Sequence, residues 1–285
     1  MNITSDFLQR IEKNLNRKIC GQQSISGGDH ASAWRIQTED NKSFFLKTVQ
    51  SGSPFHVEAL GLKRLDCEGG IRVPNVLGVD DQYLLLEWIP FGPPGKNFQC
   101  VMGRQLAQTH LHCRSSRYGF DADHFIGATP QKNQPWVTPS SGSWTTFWWT
   151  HRISPMLDRL EDARLNRLGR QLSDRLETLL VEPVGDASLL HGDLWSGNVG
   201  STAQGDPVMF DPAPYYGHPE AELAMTRMFG GFTKDFYEAY TEVFPLSAGW
   251  EDRQDLYMLY HVLNHAVLFG GSYRHQAERL MQRYV

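Results

Sequence analysis

A run rich in proline and glycine separates two parts of the sequence that have different hydrophobic patterns. It covers residues 90–95 and reads Pro90-Phe91-Gly92-Pro93-Pro94-Gly95. Proline lacks a backbone N–H and fixes φ, so neither a helix interior nor a central strand tolerates this composition. We therefore predict one lobe over residues 1–90, a second lobe over residues 91–285, and a hinge around residues 87–95.

The part before this run has the pattern of a small β-rich lobe. Short apolar runs between turn residues predict strands over residues 33–36, 44–47 and 83–88. Apolar residues at helical spacing predict a helix from Ile3 to Leu15, and another that begins at Pro54.

The part after the run is mainly helical in pattern. Apolar residues recur at helical spacing over residues 98–106 and 256–267, and over residues 156–179 they indicate one or two further helices. Short β-like pieces interrupt near residues 189–190, 198–199 and 208–210. The sequence therefore predicts an α+β fold, with a small β-rich N-terminal lobe and a larger, mainly helical C-terminal lobe.

Composition excludes several classes of protein. The 285 residues include 27 Lys and Arg against 32 Asp and Glu, a net charge of -5, so no charge footprint for nucleic acid or an anionic membrane is present. No basic start is followed by an apolar run, so no signal peptide is visible, and we expect a cytoplasmic protein. The four cysteines form no CxxC pair, which disfavours a disulfide framework or a zinc site.

One constellation in the second part points to phosphoryl transfer. It runs from His191 to Asn198 and reads His-Gly-Asp-Leu-Trp-Ser-Gly-Asn, and Asp211 follows thirteen residues after Asn198. Phosphoryl transfer needs a carboxylate that orients a hydroxyl and hard oxygen ligands that hold Mg²⁺ against phosphates. Asp193 is suited to accept the hydroxyl proton, and Asn198 and Asp211 to supply the ligands. Their order and spacing match the catalytic loop and metal aspartate of protein kinases.

The first part supplies the partners that a nucleotide needs. Gly27 and Gly28 precede a predicted strand, and a backbone without Cβ atoms can approach phosphates closely. Lys47 ends a hydrophobic strand, where it can pair with phosphates, and Glu58 in the next helix can hold Lys47 by an ion pair. A solvated lysine and a surface glutamate are the alternatives, but the order of these residues favours the functional interpretation.

These residues closely resemble the fructosamine kinase (ketosamine-3-kinase) family, which has an aminoglycoside-phosphotransferase-like, protein-kinase-like fold. The resemblance is carried by residues 190–198, 211–213 and 216–224, and it extends from about residue 20 to the C-terminal helices. The run Asp193-Leu194-Trp195 distinguishes the sequence from generic aminoglycoside kinases.

The resemblance implies ATP-dependent phosphorylation of the sugar 3-hydroxyl of ketosamines, the adducts of sugars on amines. The phosphorylated adduct then falls apart and frees the amine, which is deglycation or protein repair. The expected partner is a small-molecule or protein-bound ketosamine, and the expected state is a monomer.

The resemblance also implies roles for individual residues. Asp193 would be the base, and Asn198 and Asp211 would hold Mg²⁺. The ketosamine would lie against Trp195, which could alternatively support the catalytic loop from behind. ATP would be bound by Gly27, Gly28, Lys47 with Glu58, and the adenine-contacting hinge Glu87, Trp88 and Ile89.

The sequence departs from related patterns at two positions. Some family members carry a cysteine after the glycine pair and use it for redox control, whereas Asp29 and His30 follow Gly28 here, so that control is not expected. Ala213 stands where protein kinases have the glycine of Asp-Phe-Gly, which indicates a metal loop less able to flip between states.

Two other functions remain open at this point. A kinase for another hydroxylated amine, such as an aminoglycoside or an amino alcohol, would keep Asp193, Asn198 and Asp211. A non-catalytic nucleotide-binding module is disfavoured because every residue needed for phosphoryl transfer is present. Two further interpretations are structural: His191 is expected to bond the loop backbone, and the aromatic residues around Trp144 and Trp148 are expected to pack between helices.

Overall fold

The structure is a computed structural model that describes residues 5–25, 31–49, 55–138 and 140–285. The predicted phosphate-binding pair Gly27 and Gly28, and Asp29 and His30 after it, lie outside the described residues, as do Ile3 and Pro54.

An antiparallel sheet of five strands forms the N-terminal part, in the order β1-β2-β3-β5-β4. Its strands are β1 (Ile19–Ile25), β2 (Ser32–Thr38), β3 (Ser43–Thr48), β4 (Val76–Val79) and β5 (Tyr83–Glu87). Two helices accompany the sheet, α1 (Ser5–Leu15) and α2 (Phe55–Leu65).

The two helices cover opposite faces of this sheet. Because successive side chains of a strand point to opposite faces, Tyr83 and Leu85 of β5 share a small core with Ile11 of α1. Leu84 and Leu86 face the other way and join α2 in the main hydrophobic core. The alternation along β5 therefore fixes which face of the sheet receives α2, the helix that carries Glu58.

The rest of the described chain is mainly helical. Its α-helices are α3 (Phe98–His112), α4 (Trp144–Phe147), α5 (Ser154–Leu160), α6 (Ala163–Ser173), α7 (Leu176–Leu179), α8 (Pro219–Met228), α9 (Lys234–Val243), α10 (Trp250–Phe269) and α11 (Ser272–Gln282). A π-helical turn (Trp148–Ile153) joins α4 to α5. A 3-10 turn (Ser196–Asn198) ends the loop of residues 191–198, which we call the catalytic loop.

Short strands complete the second part. They are β6 (Arg114–Ser115), β7 (His124–Ile126), β8 (Thr129–Gln131), β9 (Ala187–Leu190), β10 (Val199–Ser201), β11 (Pro207–Met209) and β12 (Tyr215–Gly217). β9 lies between β12 and β6, and β10 pairs with β11. Asp193 follows β9, and the segment of Asp211 leads from β11 into β12, the strand that pairs with β9.

The predicted α+β fold with a β-rich N-terminal sheet is confirmed, with differences in detail. The sequence pattern missed β1 and β4. β1 is largely exposed, and its polar residues give no alternation of apolar and polar side chains. Residues 156–179 contribute to three helices, α5, α6 and α7, rather than one or two. The lobe boundary at residue 90 stays a prediction. Along the described ranges, no helix has the length and apolar character to cross a membrane.

A glycine brings α2 close to the segment that follows Asp211. A Cβ on Gly61 would lie 2.5 Å from Cγ and 2.9 Å from Cβ of Pro214. A separation below 3.0 Å is too short for two carbon atoms, so only glycine permits this contact. The absence of a side chain at residue 61 therefore sets how closely Glu58 approaches Asp211.

We expect Gly61→Ala to lower the free energy of unfolding by about 1–2 kcal/mol, measured by urea denaturation. Alanine at an open helix position would instead raise it by about 1 kcal/mol through helix propensity, so the sign of the change identifies the contact. Lys63→Ala, on the exposed side of the same helix, is the matched control and should change little.

Candidate active site

Lys47 lies at the junction of three elements. Its strand, β3, is held between β2 and β5, and its side chain is 14% exposed. The ammonium nitrogen Nζ lies 2.7 Å from Oε1 of Glu58 and 2.5 Å from Oδ1 of Asp211. The predicted ion pair between Lys47 and Glu58 is present, and Asp211 forms a second ion pair with the same ammonium group.

The charges of these three groups depend on one another. Burial by itself would lower the pKa of Lys47, but the charges of Asp211 and Glu58 outweigh it and raise that pKa above its usual value. The charge of Lys47 in turn lowers the pKa of Asp211. Lys47 is therefore a permanent cation at neutral pH, as a phosphate ligand must be.

Asp193 and Asn198 are joined within the catalytic loop. The amide Nδ2 of Asn198 donates to the Asp193 carbonyl at 2.9 Å and to Asp193 Oδ2 at 3.2 Å. These bonds commit the amide nitrogen of Asn198 and turn its oxygen Oδ1 away from Asp193. Burial and the negative charges of Asp211 and Glu222 raise the pKa of Asp193 to about 7.

His191 connects the catalytic loop to the segment around Asp211. Its Nε2 donates to the carbonyl of Phe210 at 2.9 Å, and its Nδ1 accepts from the N–H of Asp193 at 3.3 Å. The Ala213 N–H donates to the His191 carbonyl at 2.8 Å. Burial lowers the pKa of the imidazole, so the ring is neutral. These bonds bear out the prediction that His191 binds loop backbone.

Glu222 is a buried residue to which the sequence analysis assigned no role. Its carboxylate on α8 accepts hydrogen bonds from the backbone N–H groups of His191 and Gly192, the second at 3.1 Å. Gly192 has a φ of 81°, and a Cβ there would lie 2.0 Å from the Ala213 carbonyl oxygen. Residues 216–224 were part of the resemblance, but only the fold shows that Glu222 holds the catalytic loop.

The segment after Asp211 is held on its other side by β7 and β8. His124 Nε2 donates to the Pro212 carbonyl at 3.3 Å, and Gln131 Nε2 donates to the Ala213 carbonyl at 2.9 Å. Asp211 itself has a φ of 64°, in the left-handed region that aspartate tolerates better than most residues. Its carboxylate is 49% exposed, so it is open on the side away from Lys47.

The predicted hinge residues follow β5. The side chain of Glu87 accepts hydrogen bonds from Arg72 and from Asn75 Nδ2, the latter at 3.0 Å, so its carboxylate is used within the protein. The guanidinium of Arg35 lies over the ring of Trp88, with its central carbon Cζ 4.7 Å from the ring centroid. In the described ranges, the backbone of Ile89 has no hydrogen-bond partner, which leaves a donor and an acceptor for a ligand.

Trp195 projects from the catalytic loop and is 37% exposed. Its ring covers Gly197, where a Cβ would lie 2.2 Å from the indole, and its edge contacts Phe229 at a centroid distance of 5.6 Å. The ring thus packs on its own loop and also presents a surface to solvent. By contrast, Trp144 and Trp148 are fully buried, as expected for packing residues.

We expect Glu222→Gln to loosen the catalytic loop. A glutamine has one acceptor oxygen where the carboxylate has two, and its NH₂ would face a backbone N–H, so the free energy of unfolding should fall by about 2–3 kcal/mol. Hydrogen exchange should speed up at the amides of His191 and Gly192. Glu238→Gln, an exposed carboxylate on α9, is the control, and unchanged exchange in Glu222→Gln would contradict this role.

We expect the carboxyl carbon of Asp193 to titrate near pH 7 in carbon-13 NMR of the protein without ligands. Asp193→Asn identifies the signal by removing it. Because the charge of Asp211 raises the pKa of Asp193, Asp211→Asn should move the titration to lower pH. Asp206→Asn, in an exposed turn, should not. A titration near pH 4 in the unmodified protein would contradict the assignment.

Comparisons with known proteins agree with this geometry. A family model described as fructosamine kinase matches residues 3–285. The chloroplastic protein-ribulosamine 3-kinase of rice (Oryza sativa subsp. japonica) is 41% identical over 280 residues, which cover 94% of this chain and 80% of the rice protein.

Solved structures extend the comparison to the fold. A crystal structure from Thermobifida fusca, assigned to the fructosamine-3-kinases, has a TM-score of 0.88 and 31% identity, and the match covers 98% of each chain. An aminoglycoside phosphotransferase crystallised with ADP and hygromycin B has a TM-score of 0.66 over 98% of each chain but 12% identity, so it supports the fold alone. Since the family model spans nearly the whole chain and the rice relative is 41% identical over most of it, the protein belongs to the fructosamine kinase family and is an ATP-dependent phosphotransferase.

Proposed function

We propose that the protein transfers the γ-phosphoryl group of ATP to the sugar 3-hydroxyl of a ketosamine. The observation that carries this proposal is the joint arrangement of Lys47, Glu58 and Asp211 beside the loop of Asp193, in a member of the fructosamine kinase family. The similarity to the rice protein-ribulosamine 3-kinase favours a ketosamine over an aminoglycoside as the substrate. Phosphorylation at this hydroxyl leads to release of the amine.

Asp193 is the base in this proposal. A carboxylate whose pKa is raised toward 7 is a better proton acceptor at neutral pH than an ordinary aspartate. Its bond from Asn198 fixes the rotation of the carboxylate, so that one oxygen stays oriented toward the acceptor hydroxyl. The hydroxyl proton passes to Asp193 as the sugar oxygen bonds to the γ-phosphorus, and the bond from that phosphorus to the bridging oxygen of ATP breaks and releases ADP.

The donor atoms near Asp193 fit Mg²⁺. This ion prefers oxygen ligands and is usually bound by one or two carboxylates together with substrate phosphates and water. Asn198 offers its amide oxygen Oδ1, which its hydrogen bonds to Asp193 do not use. Asp211 offers Oδ2, the carboxylate oxygen that does not contact Lys47. These two residues would hold the ion, which when bound neutralises phosphate charge.

ATP is bound between the sheet and the helical part. Lys47 pairs with its phosphates, and Glu58 keeps that cation oriented. Gly27 and Gly28, which lie outside the described residues, remain the phosphate-binding pair predicted from the sequence. Adenine contacts the hinge at Glu87, Trp88 and Ile89, where the backbone of Ile89 supplies hydrogen-bonding groups.

The ketosamine lies beside Asp193, with its 3-hydroxyl between that carboxylate and the γ-phosphorus of ATP. Trp195 lies on the same loop, two residues after Asp193. The exposed face of its indole is suited to pack against the C–H groups on one face of a sugar ring. The substrate is free or attached to a protein.

The test is an assay with ATP and Mg²⁺ on ribuloselysine and fructoselysine, followed by mass spectrometry. We expect a product heavier by one phosphoryl group. Asp193→Asn should lower kcat by about 10²–10⁴-fold through loss of the base, and Asp211→Ala should abolish turnover through loss of a metal ligand. Asp206→Asn removes an exposed carboxylate outside the site and should retain full activity.

The outcomes separate the parts of the proposal. If the protein binds ATP but phosphorylates no ketosamine, another hydroxylated amine becomes the expected substrate. Full activity of Asp211→Ala at ordinary Mg²⁺ would overturn the metal assignment, and full activity of Asp193→Asn would overturn the base.

A further inference from the structure

A group of aromatic side chains lies on the protein surface next to Trp195. We call Phe229, His265, Phe269 and Tyr273 the outer aromatic patch. Phe229 is 44% and Phe269 60% exposed, and together with Trp195 they are three of the eight large hydrophobic residues exposed in the described ranges. Large exposed hydrophobic residues that cluster in one place mark a binding surface more often than isolated ones do.

The patch is continuous with the catalytic loop. The ring of Trp195 contacts that of Phe229 at 5.6 Å, and Phe229 contacts His265 at 5.3 Å between centroids. His265 in turn contacts Phe269 at 5.6 Å and Tyr273 at 5.0 Å. A row of rings therefore leads from beside Asp193 out to the exposed Phe269.

Rigid elements hold these rings in place. Phe229 directly follows α8, the helix whose Glu222 holds the catalytic loop. His265 and Phe269 are four residues apart on α10, so they lie on one face of that helix. Tyr273 comes from the first turn of α11. The surface is thus positioned by the same core that positions Asp193.

The patch has no charge of its own. His265 donates from Nδ1 to the His261 carbonyl at 2.8 Å, and burial lowers the pKa of its imidazole. A neutral row of rings attracts alkyl groups by burial and cations by the negative potential of aromatic faces. It would not repel an ammonium group.

We propose that the outer aromatic patch binds the amine part of the substrate, namely the lysine side chain and adjoining backbone of a polypeptide-bound ketosamine. This inference rests on the proposed function. In a ketosamine the nitrogen is attached to C1 of the sugar, so it projects away from the 3-hydroxyl that faces Asp193. The four-carbon stem of lysine then follows the row of rings outward, with its secondary ammonium against aromatic faces.

The geometry favours a chain-borne amine over a small one. An adduct of methylamine ends at the nitrogen and gains nothing from rings as far out as Phe269. A lysine within a peptide continues past Phe229 and buries the exposed face of Phe269. The patch is therefore expected to determine which amines are accepted, while the loop around Asp193 handles the sugar.

The experiment compares two adducts of the sugar that the wild type phosphorylates, one on the Nε atom of lysine in a short peptide and one on methylamine. For each variant we take kcat/KM for the peptide adduct and divide it by kcat/KM for the methylamine adduct. We expect Phe269→Ala to lower this ratio about tenfold. The change should come from a higher KM for the peptide adduct, because the variant loses a binding contact. Phe269→Leu, which keeps apolar area but loses the ring, should fall between. Val184→Ala, an exposed hydrophobic residue outside the patch, should leave the ratio unchanged.

An unchanged ratio in Phe269→Ala, with the methylamine adduct still phosphorylated, would overturn the inference and leave the proposed function intact. An oligomer of the wild type that Phe269→Ala dissociates in sedimentation equilibrium would also overturn it, because the patch would then be an interface between copies of this chain. If the wild type binds ATP but phosphorylates no ketosamine, including ribuloselysine and fructoselysine, the proposed function fails and the inference fails with it.

Discussion

The ion pairs of Lys47 connect the parts of the protein that a phosphoryl transfer must bring together. A largely buried ammonium group needs opposite charges close by, and Glu58 from α2 and Asp211 from the second part of the chain supply them. The sheet, α2 and the Asp211 segment therefore have to meet at one point. The bare backbone of Gly61 against Pro214 lets them do so, since any side chain there would hold α2 further away.

Electrostatics explains why the site needs both a cation and a base. Asp193, Asp211 and Glu222 bring three carboxylates into one region, and two of them raise the pKa of the third. Glu222 is stabilised by backbone N–H groups of the catalytic loop, and Asp211 by Lys47. Within the described residues, the carboxylate of Asp193 accepts a hydrogen bond only from the amide of Asn198, so of these three carboxylates it is the one left to exchange a proton. The repulsion that makes Asp193 basic also makes its surroundings favourable for a metal ion.

The helices that carry the catalytic loop also carry the surface beside it. α8 contributes Glu222 to the loop and ends at Phe229, and α10 packs in the core while presenting His265 and Phe269 outward. The core that holds these helices therefore also sets where the aromatic patch lies relative to Asp193. A change in the exposed rings can alter which amine is accepted without disturbing the buried contacts that hold the base.

The sequence by itself determined the local parts of this protein. The spacing of Asp193, Asn198 and Asp211, the strand that carries Lys47 and the long amphipathic helices are set within short windows, where residue type and periodicity act directly. Only the tertiary structure decided that Glu222, 31 residues from His191, holds the catalytic loop, and that rings from α8, α10 and α11 form one surface. The mostly exposed β1 had no apolar pattern to reveal it. Contacts between distant segments depend on how whole elements pack, and no single window of sequence contains that information.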